Sequence, residues 1–176
     1  MRLKTKRLIV RSFEERDSEP WLSMVTDPDF RRFLPPGPIP TAETFKSAIQ
    51  RRRELERDLG YTMWAIDAKD SGLFVGQCGL RPINEAGPEI DLAYHFNKAS
   101  WGKGYATEAV VAVLAHAFRS LGVDRVIAVV MPENVGSWRV AEKSGMRYEG
   151  SANYYGLTGV KKYVADRDWW SPPPAS

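Results

Sequence analysis

The stretch EIDLAYHFNKASWGKGYATEA, from Glu89 to Ala109, decides the fold that this chain is expected to adopt. Its first nine residues alternate between the two faces of a strand. One face comprises Ile90, Leu92, Tyr94 and Phe96, and the other comprises Glu89, Asp91, Ala93, His95 and Asn97. A period of two predicts a strand with one buried face. A glycine turn and a helical run follow, and this arrangement presents backbone N–H groups to an anion.

The glycine turn, Trp101 to Ala106, does not fit either of two better-known phosphate loops. A Walker loop requires Gly-x-x-x-x-Gly-Lys followed by Ser or Thr, and this chain lacks that pattern. A dinucleotide fingerprint requires glycines directly at the end of the strand, and here Thr107 stands in place of the third glycine. The pattern that remains is [polar or aromatic]-x-x-Gly-x-[Gly/Ala], with Trp101, Gly104 and Ala106 at its three defined positions. Small residues such as Gly104 and Ala106 let the backbone approach a pyrophosphate.

Glu108 lies in the first turn of the predicted helix, where its negative charge would repel a phosphate. We therefore expect its side chain to point away from the turn, toward neighbouring structure. Up to this point, a tight turn between strand and helix with no ligand explains the glycine pattern equally well.

Hydrophobic periodicity on either side of this stretch predicts the remaining elements. Further strands are predicted at Arg7 to Phe13, Tyr61 to Asp67, Leu73 to Arg81, Arg125 to Met131, Met146 to Gly150 and Val160 to Asp166. Helices are predicted at Glu14 to Asp27, from an N-cap at Thr41 to Leu59, at Ala106 to Leu121 and at Asn134 to Ser144. Leu34 to Pro40, with four prolines, is predicted to be a loop, and Asn84 to Pro88 a turn. These elements predict one α/β domain over residues 1–170, with a disordered tail at residues 171–176.

The composition narrows the class of protein. Hydrophobic residues make up 43% and charged residues 27%, values typical of a soluble globular domain. No apolar run approaches the ~18 residues of a membrane span, so we expect a cytoplasmic protein with no membrane partner. The net charge of +3 is too small to indicate nucleic acid, and acids follow the Arg51 to Arg53 run. The only cysteine is Cys78, so no disulfide and no cysteine metal cluster is expected; no metal site is predicted.

A second motif stands thirty residues beyond the glycine turn, at Asn134 to Met146, NVGSWRVAEKSGM. It resembles the N-x-x-S-x-x-[Val/Leu]-x-E-K-x-G-[Phe/Met] segment of the GNAT N-acetyltransferases, in the RimJ/RimL-like branch that acetylates ribosomal-protein N-termini. The same branch shows an acidic strand followed by W-G-K-G-Y-A-T-E-A, matched here from Asp91 to Ala109 with Ala93 in place of a glycine. The opening RLIVRSFEERD resembles the start of that branch. The resemblance therefore covers nearly the whole chain, in order.

The resemblance implies a GNAT fold, acetyl-CoA as the acetyl donor, and an amine acceptor. The sheet would be mixed, mostly antiparallel, flanked by helices and splayed between the fourth and fifth predicted strands, with pantetheine in the gap. The residues implied in coenzyme binding are Tyr94, His95, Phe96, Trp101, Gly102, Lys103, Gly104, Tyr105, Ala106, Thr107, Asn134, Ser137, Arg139 and Lys143. For Arg139 and Lys143, a solvated helix face is the preferred alternative.

The chemistry requires a group that accepts the proton of a primary amine, because such an amine is mostly protonated at neutral pH. Asp91 matches the acidic strand position of the family, and we favour it for substrate binding or as the base. Glu89 lies on the same face and is the second candidate, and either carboxylate could act directly or through water. His95 titrates in the right range but lies nearer the expected coenzyme, so it ranks below both acids.

The leaving thiolate requires a proton donor. Many GNAT enzymes carry a tyrosine seven residues after the asparagine, and Ala141 occupies that position here. Ser137 is the replacement candidate, and a hydroxyl that merely satisfies its own backbone is the competing interpretation. No base stands near Cys78 in the sequence, so we predict direct transfer within a ternary complex, without an acyl-enzyme.

The sequence thus predicts an acetyl-CoA-dependent N-acetyltransferase, monomeric or homodimeric, acting on a protein N-terminus or a small-molecule amine. A non-catalytic coenzyme A-binding regulatory module is the alternative, and the retained Asp91, Glu89 and Ser137 count against it. The segments expected to select the acceptor are Phe30 to Thr41, the helix to Leu59, and a loop at Asn153 to Gly159. They follow no pattern that identifies the amine.

Overall fold

Eight strands form one mixed sheet in the computed structural model, which describes residues 2–35, 37–83 and 89–174. The strands are β1 Arg2–Lys4, β2 Leu8–Arg11, β3 Met63–Ala68, β4 Phe74–Pro82, β5 Ile90–Phe96, β6 Arg125–Val130, β7 Arg147–Tyr154 and β8 Leu157–Asp166. Their order across the sheet is β1-β2-β3-β4-β5-β6-β8-β7. β5 and β6 pair in parallel, and the other neighbours pair antiparallel. The predicted mixed, mostly antiparallel α/β sheet of a single domain is confirmed.

The helices are α1 Ser18–Thr26, α2 Pro28–Arg31, α3 Ala42–Leu59, α4 Tyr105–Arg119 and α5 Val135–Lys143. The long predicted helix after the proline loop is confirmed at both ends: Thr41 caps its start, and Gly60 ends it with φ +77°. The short α2 was not predicted. It forms because the Asp27 carboxylate accepts hydrogen bonds from the next free amides and Pro28 fixes the first turn. None of the helices in the described part of the chain is long and apolar enough to cross a membrane.

The strand predictions need three corrections. β1 was missed because three residues are too short to show a period. β7 runs on to Tyr154, well beyond the short strand predicted at Met146 to Gly150. The predicted loop at Asn153 to Gly159 is wrong, because Tyr155 (φ +54°) and Gly156 (φ +74°) make a tight hairpin turn between β7 and β8. The predicted turn at Asn84 to Pro88 lies outside the described residues, as do the last two residues of the predicted tail.

Two separate cores lie on the two faces of the sheet. On one face α4 buries Val110, Val113 and Leu114 completely, together with Leu92 of β5. Burial of each such side chain is worth ~1.5–3 kcal/mol. On the other face, beneath α1 and α3, lies an aromatic cluster built from Phe13, Trp21, Phe45 and Phe74. The alternation predicted for β5 is confirmed for its apolar side chains, because Leu92 and Phe96 join the core under α4 and Ile90 and Tyr94 pack against it. The prediction of a single buried face is wrong, because Asp91 and Ala93 on the opposite face are buried as well.

The sheet opens between β5 and β6. The parallel pairing of these two strands, both described in full, holds at one register pair, Asp91 with Ile127. By contrast, β4 and β5 stay paired from Gly76 with Phe96 to Pro82 with Ile90. Beyond Asp91 the two strands therefore diverge, which confirms the predicted splay. It falls between the fifth and sixth strands of the structure because β1 was not predicted.

Candidate active site

The glycine turn lies at the carboxyl end of β5 and leads directly into α4. Gly102 has φ +74° and Gly104 has φ +77°, a region that favours glycine. Gly104 is the N-cap of α4 and has no side chain to accept a hydrogen bond from the first-turn amides. Trp101 is anchored by its indole, whose Nε1 donates to the Phe96 carbonyl at 2.8 Å. The turn is therefore rigid and leaves backbone donors at a helix N-terminus, where anions bind favourably.

Glu108 points away from the turn, as predicted. Its carboxylate accepts hydrogen bonds from the Thr5 hydroxyl at 2.5 Å, the Arg7 amide at 2.7 Å and the Arg7 Nε at 2.6 Å. Burial alone would raise the pKa of Glu108, but these hydrogen bonds outweigh it and the pKa is lowered. The carboxylate is thus ionised at neutral pH, and its charge is balanced by the Arg7 guanidinium in the β1–β2 connection.

On the far side of the opening, the start of α5 faces β5. The Asn134 side chain caps this helix, because its Oδ1 accepts from the Ser137 amide at 3.2 Å. The Ser137 hydroxyl donates to the Tyr94 hydroxyl at 3.2 Å, and Tyr94 in turn donates to the Ser137 carbonyl at 2.8 Å. The Ser137 hydroxyl therefore bonds a side chain across the opening. Burial raises the pKa of Tyr94, so its hydroxyl stays protonated.

Ala141, where the resemblance to GNAT enzymes implies a tyrosine, is completely buried one turn further along α5. It packs in the same cluster that Tyr94 of β5 contacts. A phenol hydroxyl is therefore present in this region, but it belongs to Tyr94 of β5 on the opposite side of the opening and not to α5. The sequence placed Tyr94 only in the coenzyme-binding set, because nothing in its strand pattern indicates a partner on α5.

Asp91 lies at the point where β5 and β6 part, and its side chain is only 2% exposed. One of its carboxylate oxygens accepts from Arg81 Nε at 2.9 Å and from the Tyr155 hydroxyl at 2.8 Å. Arg81 is its direct partner on β4, and the guanidinium also lies 4.7 Å from the centre of the Tyr155 ring. Asp91 is therefore closed to solvent and held in an ion pair.

Glu89 is the more accessible of the two acids, with a side chain that is 32% exposed. It accepts hydrogen bonds from the Tyr154 hydroxyl and from Lys162 Nζ, both at 2.7 Å. Burial would raise the pKa of Glu89, but the hydrogen bonds from Lys162 and Tyr154 outweigh this effect and lower it. Glu89 is therefore ionised at neutral pH and reachable from solvent.

His95 lies on the same strand face as the two acids but in a different environment. Its Nδ1 accepts from the Gln77 side-chain amide at 3.0 Å, and the Phe30 ring lies 5.3 Å away. Burial, with smaller contributions from Arg81 and Arg52, lowers the pKa of His95 to about 3. The ring is thus neutral at pH 7 and too weak a base to compete for an ammonium proton.

The remaining predicted residues separate into core and surface positions. Phe96 is buried in the core, and Tyr105 lies beneath the Arg7 guanidinium at 4.9 Å. Arg139 and Lys143 are exposed on α5, as a solvated helix face would require. Lys103 lies in the glycine turn, and Ala106 and Thr107 lie in the first turn of α4. The coenzyme contacts of all these residues remain predictions.

Cys78 is completely buried in β4, and burial raises the pKa of its thiol. A protonated, inaccessible thiol cannot serve as a nucleophile, which supports direct transfer. Within the described residues, no group of three or more His, Cys, Asp or Glu side chains is arranged to hold a metal ion.

Four residues that contact the acids were missed or ranked low by sequence reasoning: Arg81, Lys162, Tyr154 and Tyr155. The two tyrosines lie within Asn153 to Gly159, one of the segments expected to select the acceptor. The predicted antiparallel pairing of β4 with β5 was a usable signal for Arg81, since cross-strand neighbours of opposite charge are favourable. Lys162 and the tyrosines reach the site from the other arm of the sheet, and no local pattern indicates that.

Residues 7–147 match the acetyltransferase (GNAT) domain, so this chain belongs to the GNAT acetyltransferases. A probable N-acetyltransferase of Bacillus subtilis, YjcK, is 33% identical over 157 residues, which cover 85% of this chain and 86% of that protein. The crystal structure of a GNAT-family acetyltransferase from Bacillus anthracis is 26% identical with a TM-score of 0.79, covering 96% of this chain and 99% of that one. RimJ from Mycobacterium smegmatis, solved in complex with a CoA-disulfide, shares the fold at 21% identity and a TM-score of 0.78. That superposition covers 92% of this chain and 82% of RimJ.

Proposed function

We propose that this acetyltransferase uses acetyl-CoA and transfers the acetyl group directly to a primary amine. The observation that carries the proposal is the opening between β5 and β6, which has the glycine turn at one end and the side chains of Glu89 and Asp91 at the other. The acceptor would be a protein N-terminal amine, as in the RimJ/RimL-like branch, or a small-molecule amine. The lone buried Cys78, which leaves no disulfide, is in keeping with a cytoplasmic location.

The residues of the turn fit a coenzyme diphosphate. A Cβ on Gly104 would stand 3.3 Å from the Arg7 guanidinium, and none would meet anything at Gly102. The backbone at Gly102 is therefore open to close approach, whereas Arg7 occupies the Cβ side of Gly104. The first-turn amides of α4 lie beside both glycines. On this proposal Gly102 to Thr107 hold the diphosphate, while the diverging edge of β5 and the Asn134 side chain hold the pantetheine arm. Bound acetyl-CoA would supply the acetyl group as an activated thioester.

The different accessibility of the two acids supports different roles for them. Glu89 is ionised and partly exposed, so it can receive the amine proton directly or through a water molecule. Asp91 is enclosed by Arg81 and Tyr155, so it fixes these two side chains at the point where β5 and β6 part. The sequence favoured Asp91 for substrate binding or as the base with Glu89 second, whereas the greater exposure of Glu89 supports Glu89 as the base.

The Tyr94–Ser137 pair supports a route for the proton that the leaving thiolate requires. Both hydroxyls lie between β5 and α5, and a thiol of ordinary pKa ~8.5 gains from a donor within reach. Ser137 would pass its hydroxyl proton to the thiolate and regain one from the protonated nitrogen of the tetrahedral intermediate, which must lose a second proton in forming the amide. Tyr94, whose raised pKa keeps its own proton in place, would hold the serine hydroxyl in orientation.

The test is to incubate the protein with acetyl-CoA and a panel of amines while following thiol release. The panel should contain peptides with free N-termini, the same peptides with blocked N-termini, and small primary amines. Release above the hydrolysis rate with at least one free amine, matched by an added acetyl mass on that amine, is the expected result. Demonstrated coenzyme binding without release for any amine would instead make the chain a non-catalytic coenzyme-binding module.

A further inference from the structure

We propose that Arg7 is a positioning residue of the coenzyme site, an inference that rests on the acetyl-CoA-dependent function proposed above. Arg7 lies in the connection between β1 and β2, almost a hundred positions from the glycine turn in sequence. Its guanidinium bridges the turn and the first turn of α4. We infer that this bridge holds the turn in the shape that presents its amides to the diphosphate.

The bridge consists of three hydrogen bonds that Arg7 donates. The Arg7 Nε and backbone amide donate to the two carboxylate oxygens of Glu108, at 2.6 and 2.7 Å. A terminal nitrogen donates to the Lys103 carbonyl at 2.7 Å. Lys103 stands between the two positive-φ glycines, and its carbonyl shares a planar trans peptide with the Gly104 amide. Fixing that carbonyl on the Arg7 side therefore points the Gly104 N–H toward the opposite side.

Arg7 also fills the space beside Gly104. Its other terminal nitrogen would lie 3.3 Å from a Cβ at position 104, and its carbon Cζ lies 4.9 Å from the centre of the Tyr105 ring. The guanidinium therefore contacts the turn at Lys103, Gly104 and Tyr105 in succession. Within the turn, the two glycines have no side chain to provide such support, and the Trp101 indole is bonded to the Phe96 carbonyl instead.

The positive charge of Arg7 offsets the repulsion between the Glu108 carboxylate and a diphosphate. A carboxylate in the first turn of α4 weakens the attraction of the helix N-terminus for a diphosphate. Arg7 pairs with Glu108 at 2.6 Å; the Glu108 side chain is 17% exposed and the Arg7 side chain 44%. The coenzyme would thus meet a neutral pair beside the turn.

The segment that carries Arg7 is itself held in place. The Thr5 hydroxyl donates to Glu108 at 2.5 Å and accepts from the Leu8 amide at 2.9 Å. The Arg7 carbonyl accepts from the Lys69 amide at 2.8 Å, at the β3–β4 connection. Arg7 therefore reaches the turn from a braced backbone, which is the condition for one side chain to position another element.

The test compares the wild-type protein with Arg7→Ala in the binding of three ligands: acetyl-CoA, 3′-dephospho-CoA and pantetheine. Calorimetry serves for the first two ligands, and ligand-observed NMR for pantetheine. We expect Arg7→Ala to weaken acetyl-CoA and 3′-dephospho-CoA by about tenfold, which corresponds to ~1.4 kcal/mol. Pantetheine has no diphosphate, so its affinity should not change.

The matched control is Arg16→Ala, which removes an exposed arginine that pairs with exposed Glu14 and, at 3.7 Å, with Asp67, a residue that Arg11 also holds. It should leave all three affinities unchanged. If Arg7→Ala does not fold, Arg7→Lys makes the same comparison, because lysine keeps the charge but cannot bridge Glu108 and the Lys103 carbonyl together. Equal losses for all three ligands, or no loss for either nucleotide ligand, would overturn the inference. A wild-type protein that binds no acetyl-CoA would overturn the proposed function as well.

Discussion

At the scale of single residues, two acids that lie two positions apart on one strand have different surroundings. Asp91 is enclosed by Arg81 and Tyr155, whereas Glu89 meets Tyr154 and Lys162 at a site open to solvent. Spacing alone puts both on one face of β5. The difference arises because the hairpin between β7 and β8 reaches across to β5, a contact far away in sequence.

Glu89→Gln tests the proton-accepting role. We expect the variant to lower kcat by about a hundredfold at neutral pH, the lower end of the range for a lost general base. The difference from wild type should shrink as pH rises toward the pKa of the amine, because the free amine then needs no base. Lys162 keeps a second partner in Glu149 at 3.3 Å, so the fold should survive. The pH dependence of kcat measures this.

The control for that substitution is Glu149→Gln, which alters the same charge network away from β5 and should leave kcat unchanged. A Glu89→Gln enzyme with a wild-type rate at every pH would exclude Glu89 as the base.

His95 gives a prediction about stability and pH. Its folded pKa of about 3 lies below the ordinary ~6.5, so between these values the unfolded chain takes up a proton that the folded chain does not. Stability therefore falls as pH falls through this window. In His95→Gln the glutamine can still accept from Gln77, and the loss of stability from pH 6.5 to pH 4 should be smaller. Thermal unfolding of both proteins against pH measures this, and parallel curves would contradict it.

At the scale of elements, the glycine turn combines a backbone requirement with a binding role. A non-glycine residue at positive φ costs roughly 1–2 kcal/mol, so Gly104→Ala should lower the unfolding temperature. Its new Cβ would also press on the Arg7 guanidinium. We therefore expect weaker acetyl-CoA binding by calorimetry, in addition to the loss of stability.

Gly122→Ala is the matched control, because Gly122 has φ +67° and a Cβ there would meet nothing within 4 Å. It should lose a similar amount of stability and keep its affinity for acetyl-CoA. Equal affinities of Gly104→Ala and Gly122→Ala for acetyl-CoA would contradict a role of the turn in coenzyme binding.

Some helices and strands could be predicted from the sequence, and others could not. The core-facing apolar residues of β5, the N-cap at Thr41, and the direction of the Glu108 side chain follow from local patterns, and these are confirmed. β1 and α2 are too short to show a period. The β7–β8 hairpin was read as a loop because Tyr155 takes a positive φ that its residue type does not indicate.

At the scale of the whole molecule, the position of the opening could be predicted from two motifs thirty residues apart and their family resemblance. The partners of the site residues could not, because they come from distant segments. Arg81, Lys162 and Tyr155 reach the acids, and Arg7 reaches the turn, only after the sheet has set its order and register. Side-chain partners of this kind depend on strand register, which cannot be derived reliably from a single sequence.

The central claim is that the coenzyme lies in the opening between β5 and β6, with its diphosphate on the glycine turn. Amide hydrogen exchange with and without acetyl-CoA tests this most directly, because the amides concerned are named. The account predicts slower exchange at Gly102 to Thr107 and along β5 when acetyl-CoA is bound, with little change at the edge strands β1 and β7. Saturating acetyl-CoA that leaves the exchange of Gly102 to Thr107 unchanged, or protects another region instead, would contradict it.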